Sequence, residues 1–164
     1  MVEIAPAPPA QRHILCGGPA VADRAGVALG LALPLQPCRA VEQGSRAALW
    51  LGPGEWLLLL PGNYAPSLPA ALEGLPHSLV DVSDGYEALT LRGPGAARAL
   101  SAGCPLDLHP AAFPPGMATR TVLVRAGITL WRRTIDEWRL EIARSFTPYS
   151  RAFLAEAARG MPGF

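Results

Sequence analysis

The 164-residue sequence has no lysine; all 14 of its basic residues are arginine, as a GC-rich coding sequence would give. A phosphate-binding loop ending in Gly-Lys is therefore excluded. Neither Gly-x-Ser-x-Gly nor a Gly-x-Gly-x-x-Gly turn with a downstream acid occurs, so no nucleophile elbow or dinucleotide site is expected. Charge is scarce as well. The formal net charge is +1 and there is no basic tract, which removes the long-range field that nucleic-acid binding needs. Cys16, Cys38 and Cys104 are odd in number and far apart, the pattern of free thiols in a reducing compartment rather than of a disulfide framework. His13, His77 and His109 show none of the short spacings to those cysteines that zinc sites use, so no metal is expected. No stretch approaches the roughly 18 apolar residues of a membrane span. The start, MVEIAPAPPAQRH, lacks a basic segment followed by an apolar core. A cytoplasmic protein is expected.

What the sequence does have is apolar content, at 50%, enough for one well-buried domain or two very small ones sharing a core. The densest punctuation lies in Ser78 to Pro110. There Val80 and Val82 alternate with Asp81 and Ser83, Asp84-Gly85 follows, and Leu89 and Leu91 alternate with Thr90 and Arg92. Period two is the strand period, so this reads as two strands meeting at a tight turn. Gly93-Pro94 then opens a helix that Gly103 stops.

Read in order, the first half gives strand 14–16, a helix from Pro19, a hairpin of 47–51 and 55–60 around Gly52-Pro53-Gly54, a helix in 63–74 carrying Pro66, and strand 78–83. The second half repeats the order with strand 86–92, helix 94–102, strands 119–125, 127–133 and 137–143, and helix 148–159. Residues repeat as well. Glu55-Trp56 precedes Glu137-Trp138 by 82 positions, and Pro66, Ala70 and Leu72 meet Pro148, Ala152 and Leu154 at the same offset, while Leu49-Trp50 meets Leu130-Trp131 one residue out of step. The fold class is therefore α+β, a duplicated split β-α-β (ferredoxin-like) plan. Residues 1–12, rich in proline, read as a flexible arm; 13–164 read as a single domain with pseudo-repeats at about 13–84 and 85–160.

The repeat assigns faces. Trp138, Leu140 and Ile142 should face the helices, and Arg139 and Glu141 should face out. Their counterparts in the first copy are Leu57 and Leu59, so that face needs cover, either from the second half of the chain or from a partner protein for which Leu57 and Leu59 are a possible interface.

The carboxylate candidates are Asp81, Asp84, Glu87 and Asp107; Asp81, inside an apolar strand, reads first as a hydrogen-bonded acceptor for the loop after it. Cys104, Asp107 and His109 sit close together between Pro105 and Pro110, in a loop whose side-chain directions the sequence does not give. No catalytic, cofactor-binding or metal-binding residue is assigned.

The run LVDVSDGYEALTLRGPGAARALSAGCPLDLHPAAFPPG, then TRTVL, LW and EWRLEIARSFTPY, together with the upstream WLGPGEWLLLLP, resembles the gamma-subunit family of heterotetrameric sarcosine oxidases over roughly residues 46 to 158. That resemblance implies a small assembly subunit without a cofactor of its own, partnered by alpha, beta and delta subunits. In such a complex sarcosine is oxidised at a flavin on the beta subunit and electrons reach oxygen through a second flavin. The one-carbon unit passes to tetrahydrofolate on the alpha subunit; NAD and zinc also belong to subunits other than this one. The family is similar in fold to the folate-binding domain of the glycine cleavage T-protein. The T-protein's Gly-Gly-Ile stretch with following acids falls on Ala126 to Trp131 here, without the acids, and its Asp-x-Ser-His strand end falls on Asp81 to Asp84, without the histidine. The alternative reading is a standalone folate-binding protein related to aminomethyltransferases.

Overall fold

The computed structural model describes residues 1–62 and 67–160, so Pro66 and the start of the second helix expected at 63–74 lie outside the described residues. The chain divides into two units, one of Pro9–Ser83 and one of Asp84–Phe164 that also takes Met1–Pro8. The chain opens with a strand, β1 (Glu3–Pro6), that belongs to the second of these.

The first unit runs β2 (Gln11–Gly17), α1 (Pro19–Leu29), β3 (Ala40–Gln43), β4 (Arg46–Gly52), β5 (Glu55–Leu60), α2 (Ser67–Ala71) and β6 (His77–Asp81). Its sheet has the order β3-β4-β5-β2-β6, with every described pairing antiparallel. Pro19 sits at the first helical position of α1, where its missing N–H costs no hydrogen bond; Gly30 ends the helix in the left-handed region at φ 60°, its N–H reaching the carbonyls of Gly26 and Val27. The helix buries Val21, Ala22, Ala25 and Leu29 against Leu15, Trp56, Leu58 and Leu60 of the sheet. Trp56 is buried with its polar end satisfied, Nε1 donating to the Pro34 carbonyl at 2.7 Å, which ties the loop after α1 to the core. The expected hairpin forms at Gly52-Pro53-Gly54, and Gly54, at φ 69°, lies so close to the Gly17 carbonyl that a Cβ would clash at 2.7 Å. The loop after α1 leads into the edge strand β3, whose four residues are too few to show a period in the sequence.

The second unit runs β7 (Tyr86–Arg92), α3 (Ala96–Ser101), β8 (Ala118–Leu123), β9 (Ala126–Arg132), β10 (Glu137–Ala143) and α4 (Thr147–Arg159), with sheet order β1-β7-β10-β9-β8. This is the order of the first unit. β7, β10, β9 and β8 take the places of β2, β5, β4 and β3, and β1 takes the place of β6. Residues 1–12 are therefore not a flexible arm: Glu3–Pro6 pairs with Arg92–Leu89, and Val2 and Ile4 pack against the core of this unit. Gly93 permits the approach, since at φ 110° its missing Cβ leaves room for the Met1 carbonyl. The turn at Asp84-Gly85 is not a hairpin either. Ser83–Gly85 is a short 3-10 turn leading from β6 in one sheet to β7 in the other. The helix expected from Pro94 begins at Ala96.

The helix-facing set is as the alternation required: Trp138, Leu140 and Ile142 share one core with Leu100 and Leu154. The register also settles the step in the repeat. Trp50 lies opposite Trp56 and Arg132 opposite Trp138, so the counterpart of Trp50 is Arg132 and that of Leu49 is Trp131, at the same offset as Glu55 and Glu137. The sequence match of Leu49-Trp50 with Leu130-Trp131 would have set them on opposite faces.

Candidate functional site

Each residue singled out from the sequence has a local task. Asp81 ends β6, and its Oδ1 accepts the Ser83 N–H at 2.9 Å, the acceptor role expected of it. Those Ser83 hydrogen bonds hold its carboxyl below the ordinary value, with a smaller contribution from His13, whose Nε2 is 3.9 Å from Oδ2. Glu87 faces Arg144 at 3.6 Å between exposed side chains. Asp107 Oδ1 accepts the His109 N–H at 2.9 Å, and His109 Nδ1 accepts the Ala111 N–H at 3.2 Å, so both stabilise the turn before Phe113. Cys104 is buried, its Sγ 3.9 Å from Thr121 Oγ1. The three residues do not converge, and no cluster of three metal-ligating side chains exists among the described residues.

The second face of each sheet differs from expectation. Arg139 and Glu141, read as facing out to solvent, are 8% and 1% exposed, and Arg139 Nε donates to Glu141 Oε1 at 2.7 Å. The pair compensates its own charge, which is how two ionised side chains survive burial. Leu57 and Leu59 are likewise buried within the chain, 4% and 3% exposed, so they do not form a free surface for a partner. Trp131 Nε1 and Arg139 Nη2, cross-strand neighbours, are buried donors without a hydrogen-bond partner.

Arg132 is the residue that sequence reasoning missed. Its buried guanidinium donates to the carbonyls of Phe113 (2.8 Å), Leu108 (3.2 Å), Ile135 (2.6 Å) and Thr134 (3.3 Å) and lies 4.6 Å from the centre of the Trp138 ring. Loss of water pushes its pKa down, and the charge of Asp136 opposes that shift. Arg132 thus closes the long loop between α3 and β8 onto the turn before β10. The only sequence signal was its position opposite Trp138, visible once the offset is applied to Trp50.

The stretch that corresponds to the T-protein's acids, Ala126 to Trp131, forms most of β9, and Leu130 and Trp131 are buried apolar side chains. A family model described as sarcosine oxidase, gamma subunit family, matches residues 15–160. The chain belongs to the sarcosine oxidase gamma subunit family. Curated gamma subunits of sarcosine oxidase from Corynebacterium sp. (strain P-1) and Arthrobacter sp. are 38% identical over 135 residues and 37% over 134; each match covers 79% of this chain. The match spans 66% of the length of each of those two relatives. Among solved structures, a chain of the heterotetrameric sarcosine oxidase from Corynebacterium sp. U-96, in complex with pyrrole 2-carboxylate, superposes with a TM-score of 0.91 at 29% identity, covering 99% of this chain and 87% of that one. The aminomethyltransferase T of the glycine cleavage system from Bartonella henselae gives a TM-score of 0.73 at 13% identity, over 96% of this chain and 46% of that one, a likeness of fold alone. Both agree with the fold that the duplicated plan implied for a gamma-subunit family member. Among the described residues no helix is long and apolar enough to cross a membrane.

Proposed function

We propose that this chain is the small assembly subunit, without a cofactor of its own, of a bacterial heterotetrameric sarcosine oxidase. It holds alpha, beta and delta subunits together in the cytoplasm, in a complex that converts sarcosine to glycine, hydrogen peroxide and a folate-bound one-carbon unit. Flavins, NAD, zinc and tetrahydrofolate belong to the other subunits. The observation that carries this reading is the superposition along 99% of the chain, at a TM-score of 0.91, on a chain of such a heterotetramer. It is supported by the use of Asp81, Asp107, His109 and Glu141 in local hydrogen bonds and ion pairing, which are structural tasks. The test is purification of the tagged chain from its native cell. Co-elution with three other polypeptides, a flavin absorbance band and sarcosine-dependent peroxide is expected. Elution alone, with a melting temperature that rises on adding folate, would overturn the assembly role in favour of a standalone folate-binding protein.

A further inference from the structure

Trp56 of the first unit and Trp138 of the second are counterparts, and so are Trp50 and Arg132, which lie opposite them in the register. Around Trp138 the second unit is closed. Residues 102–117, between α3 and β8, supply Phe113, which is 1% exposed and whose ring lies 5.4 Å from the Trp138 ring. Arg132, 2% exposed, fastens this loop by the carbonyls of Leu108 and Phe113. Pro114 and Pro115 follow the phenylalanine directly.

The corresponding connection of the first unit, residues 30–39 between α1 and β3, is shorter and covers less. Its Pro34 carbonyl accepts the Trp56 Nε1 proton, but the next residue, Leu35, is 63% exposed, and Trp50 is only half-buried where Arg132 is sealed. A cleft of about 450 Å³ is left there, lined by Gly18, Pro19, Leu35, Trp50, Pro53 and Trp56, within the size range of ligand sites. No side chain of the lining carries a charge, and a Cβ added at Gly18 would meet nothing within 4 Å. Indole and proline surfaces around bare backbone suit an aromatic ring and offer nothing that would hold an ion.

We propose that this cleft receives an uncharged segment of a partner subunit that presents an aromatic side chain beside proline, as Phe113-Pro114-Pro115 does within the second unit. The repeat names the chemistry of the occupant, because the same place beside the counterpart tryptophan is filled there by the chain's own loop. Aromatic anchors seated in pockets are the residues that dominate binding at interfaces. The proposal rests on the assembly reading for the identity of the partner, not for the existence of the site. The site is tested on the full-length chain by titration with an end-blocked peptide of residues 110–116, Pro-Ala-Ala-Phe-Pro-Pro-Gly, read by tryptophan fluorescence, to which the peptide contributes nothing. Saturable binding at about 0.1 mM or tighter is expected. The same peptide with alanine in place of phenylalanine should bind about tenfold or more weakly. Leu35→Asp, a change at an exposed position that leaves the core intact, should weaken binding about tenfold or more and reduce co-elution of the tagged chain with its partner polypeptides. Absence of saturable binding overturns the proposal while leaving the assembly reading to its own co-elution test. Equal binding of the alanine peptide, unchanged affinity in Leu35→Asp, or undiminished co-elution of that variant also overturns it. A concentration-dependent dimer of the unmodified chain that Leu35→Asp dissociates would put a second copy in the cleft and overturn it as well.

Discussion

The two units place the same strands in the same order, yet they fill the sheet face opposite their helices with opposite chemistry. In the first unit the four residues of that face on β4 and β5 are Ala47, Leu49, Leu57 and Leu59; in the second, on β9 and β10, they are Thr129, Trp131, Arg139 and Glu141. All eight are buried. The backbone register thus sets where side chains go without setting their polarity, provided that charges are introduced as a pair. The Trp50 and Arg132 positions teach the same thing on the helix side. A ring in one unit is replaced by a guanidinium in the other, which stacks on Trp138 and spends its donors on loop carbonyls.

The comparison is broken most severely by removing one charge only. Glu141→Leu leaves Arg139 buried with its main partner gone and is expected to cost about 3–5 kcal/mol in denaturant melts. Arg139→Leu/Glu141→Leu, which copies the first unit, should recover most of that loss, because replacing a buried pair by apolar side chains is often close to neutral. If the double variant is no more stable than the single, the pair is not self-compensating. The reciprocal Leu57→Arg/Leu59→Glu should destabilise the isolated chain more than the apolar double variant does, since it puts two charges into a buried face lined by Ala47 and Leu49. A melt like that of the unmodified chain would show that this face is not sealed.

Next in size are the helix-side positions. Trp138→Ala should cost about 3–5 kcal/mol as a large aromatic truncation. Arg132→Leu should cost about 2–4 kcal/mol through the buried carbonyls it strands. The second loss should appear as faster hydrogen exchange in residues 104–116, a readout that Trp138→Ala does not share to the same degree. Deleting Met1–Pro8 tests whether β1 is to the second unit what β6 is to the first. It removes the pairing to β7 and the contacts of Val2 and Ile4, for an expected loss of about 2–3 kcal/mol. Exchange should rise along β7 first, while β2 and β5 stay protected.

The smallest effect is at Asp81. Its folded pKa is lowered by the Ser83 hydrogen bonds, so its contribution is present above the unfolded value near about 3.9 and is lost as pH falls through the folded one. Asp81→Asn should leave melting near neutral pH almost unchanged and remove a small part of the acid-limb loss. A neutral-pH drop as large as that of Arg132→Leu would contradict so exposed a role.

The amino-acid sequence by itself determined the order of the strands and helices other than β1 and β3, the repeat, the core set of Trp138, Leu140 and Ile142, and the acceptor role of Asp81. Each of these follows from local periodicity or from a turn residue acting within a few positions of itself. The family, too, was legible in short motifs kept in order. Tertiary structure alone decided the rest. Glu3–Pro6 became a strand because the open edge of β7 was there to pair with, a contact across more than 80 residues that a four-residue proline-containing segment cannot announce. Arg139 and Glu141 alternate like solvent-facing charges, and their mutual 2.7 Å contact offsets the cost of burial. The cleft beside Trp50 is assembled from three strands, the start of a helix and two loops, and residues so far apart in sequence have no common pattern until the sheet brings them together.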